Sequence, residues 1–272
     1  MPRRDALAFV VLITLACGAC SRLTFFRPDA SPGKYTKTSP TYDLHDSDAT
    51  RRRIAVGERL GLAQSHLASG QLDAAEAEVK AALKADPTSA DAYTVLAVIA
   101  DRRGQAEQAG GYYVKATELA PNQGAALNNY GAWLCGNGRA TESLGWFDRA
   151  LADRGYRQQA SALSNAGACA LKAGHTGRVE HDLRAALTLE PDNATALDAM
   201  ADYQYRSGNY MDARAFSQRR LAAAQSTPDT LRLASQIEDK LGDPTAAAGY
   251  VQRLRTEFPQ ARAAPSGEVG RP

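Results

Sequence analysis

Apolar and polar positions divide the chain into stretches of different character. From Ala6 to Ala16 the side chains are largely apolar, behind Arg3 and Arg4. From Ser21 to Arg53 no helical periodicity is present, and Pro28, Pro32 and Pro40 interrupt a run rich in Ser, Thr, Asp and Lys. From about residue 54 to residue 261 the helix formers Ala, Leu, Arg, Glu and Gln dominate, and aliphatic runs of strand type are missing. That pattern predicts an all-α body.

Within the body, glycines recur at Gly70, Gly104, Gly138, Gly174, Gly208 and Gly242, spaced 34, 34, 36, 34 and 34. A fixed period of this length marks a repeat architecture. Five positions after each glycine stands Ala75, Ala109, Ser143, Val179, Ala213 or Ala247, a small residue where one helix must approach another closely. Seven positions further on come Ala82, Ala116, Ala150 and Ala186, a rule broken by Arg220 and Leu254. Pro87, Pro121, Pro191 and Pro259 fall seventeen positions after their glycines, where proline ends a second helix and opens the next turn.

This frame of small, aromatic and proline positions resembles the tetratricopeptide repeat. The resemblance implies six units, 56–89, 90–123, 124–157, 160–193, 194–227 and 228–261, stacked as a right-handed α-solenoid of helical hairpins. It also implies a groove lined by first helices, because each hairpin leaves an apolar face that its neighbour covers. In that class the lining comes from positions that Asn128, Asn129, Asn165, Asp198, Asp202, Tyr205 and Arg206 occupy here. The asparagine amides are suited either to bonding the backbone of a partner segment or to bridging adjacent helices. Tyr112, Tyr113, Tyr130, Trp133, Trp146 and Phe147 cluster in the second and third units, mostly as core.

The first residues read as an export signal, 1–19. Eleven apolar residues, Ala6 to Ala16, rise about 16 Å as a helix against a hydrocarbon core of roughly 30 Å, too little to span it. Leu15-Ala16-Cys17-Gly18-Ala19-Cys20-Ser21 resembles the lipobox of bacterial lipoproteins, with Cys20 preferred over Cys17 as the lipidated residue because Gly18 and Ala19 precede it. A covalent N-terminal lipid is then the expected membrane anchor, and no other cofactor is implied. Neither cysteine is followed by the aspartate that keeps such proteins in the inner membrane, so the resemblance implies the outer membrane, facing the periplasm. Residues 20–53 would be a flexible tether with a reach of roughly 30 Å, and 262–272 a disordered tail.

Two cysteines remain, Cys135 and Cys169, on first helices of adjacent units. In an oxidising periplasm they are expected to form a disulfide, the alternative being two buried free thiols.

The stretch Ala126-Leu127-Asn128-Asn129-Tyr130-Gly131 with Leu134-Cys135, followed by Asn165-Ala166-Gly167-Ala168-Cys169 and set behind a lipobox and tether, resembles the type IV pilus biogenesis and stability lipoproteins of the PilF/PilW family. That resemblance implies a pilotin-like role, with the pilus secretin or another pilus assembly protein as partner. A general periplasmic adaptor for cell-wall or outer-membrane assembly would share the lipobox and the repeats. His66 and Ala100 stand where early units of the family carry aromatics.

Charge and motifs narrow the rest. With 32 Lys and Arg against 30 Asp and Glu, no excess of positive charge points to nucleic acid. No phosphate-cradling glycine loop, zinc-protease motif or nucleophile elbow is present, and His45, His66, His175 and His181 are scattered. Neither an enzyme, a metal site nor a small-molecule substrate is expected.

Overall fold

The computed structural model describes residues 47–262. The described residues form twelve α-helices in six antiparallel hairpins: α1 Asp48–Ala68 with α2 Leu72–Ala85, α3 Ala90–Arg102 with α4 Ala106–Leu119, α5 Gly124–Gly136 with α6 Ala140–Ala152, α7 Gln159–Lys172 with α8 Thr176–Leu189, α9 Ala194–Arg206 with α10 Tyr210–Ala223, and α11 Pro228–Leu241 with α12 Pro244–Glu257. A 3-10 turn, Pro259–Arg262, follows. Each hairpin packs on its neighbours as in a solenoid.

The repeating glycines have one physical cause. All six adopt positive φ, between 73° and 81°, the left-handed conformation that L side chains disfavour. Each ends the first helix of a hairpin in the same way. The residue after the glycine donates its N–H five residues back, as in Gln71 to the His66 carbonyl (2.8 Å), Arg139 to Leu134 (2.9 Å) and Asn209 to Gln204 (2.9 Å). This satisfies carbonyls that the helix end leaves open and reverses the chain within two or three residues.

Gly138→Ala is therefore expected to destabilise the protein by about 1–2 kcal/mol through backbone conformation alone, since an added Cβ there meets nothing within 4 Å. The same change at Gly111, exposed within α4 and equally open around its Cβ, should stabilise it by about 0.5–1 kcal/mol. Urea denaturation of the two variants checks the opposed signs; a shared sign would remove the conformational explanation.

Close approach within hairpins rests on small residues. Ala75, Ala109, Ser143, Val179, Ala213 and Ala247 are all buried, as are Ala82, Ala116, Ala150 and Ala186. Between hairpins the core is a series of clusters. Val56, Leu60, Val79 and Ile99 tie the first hairpin to α3, Tyr113, Tyr130 and Leu134 join the second to the third, and Phe147, Leu183 and Met200 run through the third to fifth.

Two units lack the proline, and the structure shows what replaces it. After α6 the carboxylate of Asp153 accepts from Gly155 N–H (2.8 Å) and from Gly124 N–H (2.9 Å), binding the longer loop back to the start of α5. The bond from Gly124, and then that from Gly155, hold the Asp153 carboxyl below its usual range. Tyr156 lies so close to Gly124 that a Cβ there would sit 2.5 Å from its ring. In the fifth unit the buried Arg220 donates to the carbonyls of Ala224 and Gln225 (3.3 and 3.2 Å), doing with a guanidinium what proline does elsewhere.

The first helix departs from the expected tether, which was to run to Arg53. α1 starts at Asp48 because Ser47 caps it, its hydroxyl accepting from Thr50 N–H at 3.1 Å, and because Asp48 pairs with Arg51 in the first turn. Arg51, Arg52 and Arg53 are thus helical. Among the described residues no helix is long and apolar enough to cross a membrane. The export signal, Cys17, Cys20 and most of the tether and tail lie outside the described residues.

Candidate functional site

The third and fourth hairpins are tied together twice along their first helices. Cys135 of α5 and Cys169 of α7 form a disulfide, with Cα atoms 5.9 Å apart and both residues buried. Two turns earlier on α5 stands Asn128, and one turn earlier on α7 stands Asn165. The Nδ2 of Asn165 donates to the Oδ1 of Asn128 at 3.1 Å.

Asn128 is only 5% exposed, and that corrects its assignment to a partner-binding groove. The two helices close over it, so its amide bridges hairpins instead of facing solvent. Asn165, half-buried, spends its donor on the same bridge. The neighbouring Asn129 turns the other way and helps line a pocket of about 460 Å³ between α3 and α5, with Val98, Asp101, Tyr113, Trp133 and Asn137.

The fifth unit presents a more self-contained surface. Asp202 pairs with Arg206 one turn away at 2.7 Å, and Tyr205 packs against Tyr210 with ring centroids 5.7 Å apart. Asp198 is half-buried, and burial pushes its carboxyl up; Arg220 opposes this while Asp202 and Asp229 add to it. The seven residues expected to line one groove thus separate into a buried bridge, one wall of a pocket, and a fifth-unit surface whose charges are largely satisfied within α9.

The pocket brings Asp101 and Asn137, which sequence reasoning missed, beside Asn129 and beside Tyr113 and Trp133 of the aromatic cluster assigned mostly to the core. Tyr113 is buried, and that burial, with the Asp101 charge adding to it, pushes its hydroxyl up to about 12. It stays a neutral phenol at any physiological pH. Trp133 stacks with Tyr130 at 14° between planes, and its ring lies over Gly110, where a Cβ would sit 2.5 Å away. Asn137 donates to the Trp133 carbonyl at 2.8 Å. Asp101 carries the one signal that was readable in advance: it is an acid in the last turn of α3, where the helix dipole favours a base. Among the described residues no group of three or more His, Cys, Asp or Glu is placed to hold a metal ion.

Comparison with known proteins places this architecture. Residues 60–124 and 198–262 match the tetratricopeptide repeat family model. The stretch between these segments contains the disulfide, the asparagine bridge and the 36-residue spacing. The type IV pilus assembly protein PilF of Pseudomonas aeruginosa is 28% identical over 205 residues, 74% of this chain and 79% of PilF. Among solved structures, PilW, described as a widely conserved type IV pilus biogenesis factor, aligns with a TM-score of 0.67 and 29% identity over 75% of this chain and 94% of its own. The Pseudomonas aeruginosa PilF structure aligns with a TM-score of 0.67 and 25% identity over 77% and 95%. With six stacked hairpins, and with similarity that reaches across the irregular third and fourth units, the chain is a tetratricopeptide-repeat protein homologous, at moderate identity over most of its length, to the PilF and PilW type IV pilus biogenesis proteins.

Proposed function

We propose that this chain is an outer-membrane lipoprotein that acts in type IV pilus biogenesis as a protein-binding scaffold. In this reading Cys20 carries the lipid and the side of the stack formed by first helices holds the pilus secretin or another pilus assembly protein. The observation that carries it is the extent of the likeness: nearly the full lengths of the PilW and PilF structures align with this one chain.

Two further features support it. A disulfide in the seam between hairpins belongs in an oxidising compartment, as export to the periplasm would provide. The repeat scaffold offers surface for a protein partner, whereas the pocket lining holds no nucleophile paired with a base. The lipid would keep the stack at the membrane where a pilus secretin sits, raising its effective concentration there.

Deletion of the gene tests the reading. The expected result is loss of surface fibres and of detergent-resistant secretin multimers, restored by the wild-type gene and not by Cys20→Ser. Normal fibres and multimers in the deletion strain would overturn it.

A further inference from the structure

The pocket between α3 and α5 contains a charge that the fold does not use. Asp101 is exposed in the last turn of α3, at the negative end of the helix dipole. The two arginines that follow it in sequence are engaged elsewhere. Arg102 donates to the Leu67 carbonyl of α1, and Arg103 pairs with Asp73 and Glu76 of α2. Among the described residues no cation lies within ion-pair distance of Asp101. A carboxylate kept at an unfavourable helix end, beside two arginines that both turn away, weakens the fold locally without a return inside the molecule.

Its surroundings define what would complete it. Asn137 commits one N–H of its Nδ2 to the Trp133 carbonyl, which leaves its Oδ1 and its second N–H open, and the Asn129 side chain makes no hydrogen bond among the described residues. Two amides and a carboxylate therefore offer acceptors spread around one space, beside the remaining amide N–H donors, while Val98 and the Trp133 ring, whose buried Nε1 has no hydrogen-bond partner among the described residues, give it a largely apolar wall. An apolar ligand would bury Asp101 without a partner, at a desolvation cost. An anion would meet no cation in the lining. A planar guanidinium, with five donors on an apolar stem, matches the spread of acceptors better than the point charge of an ammonium.

We propose that this pocket receives an arginine side chain of the partner protein, its guanidinium on the Asp101 carboxylate and its methylenes along Val98 and Trp133. The proposal rests on the reading that the stack binds a protein through its first-helix side, and it names the chemistry of that protein's contact.

The probe is N-acetyl-arginine methylamide at millimolar concentration, observed by saturation-transfer NMR with the detergent-solubilised full chain. Its neutral citrulline counterpart serves as the isostere. The arginine compound is expected to bind at least about tenfold more tightly than the citrulline compound, as a charge-assisted bidentate contact requires. Asp101→Asn should abolish that preference while leaving the melting temperature unchanged or raised. Equal binding of the two compounds, or a preference retained in Asp101→Asn, would overturn the proposal. The cellular arm separates it from the pilus reading. A fibreless deletion strain with no arginine preference in vitro overturns the pocket alone, whereas arginine selectivity with a normally piliated deletion strain supports the pocket and overturns the pilus role.

Discussion

Reduction of the Cys135–Cys169 bond is expected to lower stability by up to about 4 kcal/mol, the loop-closure value for the 34-residue separation between its cysteines. The loss should not be spread evenly. In a stack, each hairpin is held chiefly by its nearest neighbours, so a cross-link between two first helices acts on one interface. That interface is where the repeat spacing is longest and where Asp153 and Tyr156 stand in for proline. Its remaining first-helix tie is a single hydrogen bond from the Asn165 amide to the Asn128 amide oxygen, a contribution of about 1 kcal/mol. Chemical denaturation with and without dithiothreitol, and of the Cys135→Ala/Cys169→Ala variant, should show the midpoint falling and the transition broadening or splitting as the two halves uncouple. An unchanged midpoint with one sharp transition would mean that apolar packing alone holds the seam.

How much of this could be read in the sequence depends on whether a position is constrained by backbone geometry or by neighbours in space. The six glycines were legible because left-handed φ admits few other residues, so the same letter returns at each hairpin. The alanines that follow were legible because close helix approach limits side-chain size. The chain turns of the third and fifth units were not. Asp153 and Arg220 do by hydrogen bonding what proline does by ring geometry, and no repeat pattern announces that exchange. Asn128 and Asn129 are adjacent in sequence and alike in chemistry, yet the 100° step of a helix turns one into the seam and the other toward the pocket. The start of α1 was misplaced because its capping serine lies in a stretch whose composition is that of a tether. The pocket was invisible for a further reason. Its lining comes from α3, α4 and α5 and the turn after α5, and only the acid at the end of α3 broke a local rule.

Phe147→Ala should be the most damaging single substitution near this surface, at about 3–5 kcal/mol. Its ring is fully buried in the cluster that also contains Cys135 and Cys169. The ring fits there because α5 has a glycine opposite it. A Cβ at Gly131 would sit 2.8 Å from the ring edge, with two more ring atoms at 3.1 Å. In the wild-type background Gly131→Ala therefore gains roughly 1 kcal/mol of helix propensity but meets an overpacking cost of about 1–3 kcal/mol, and the net effect should be destabilising. With Phe147→Ala in place the obstruction is gone and part of a cavity opens, so the same Gly131→Ala should become stabilising. Equilibrium denaturation of the two single variants and the double variant measures the coupling directly. A Gly131→Ala effect of the same sign and size in both backgrounds would show that the ring and the glycine are not fitted to each other. The consequence reaches the pocket, because Gly131 lies between Asn129 and Trp133 on α5. Loss of the ring that braces this helix should weaken arginine binding even though Phe147 does not line the pocket.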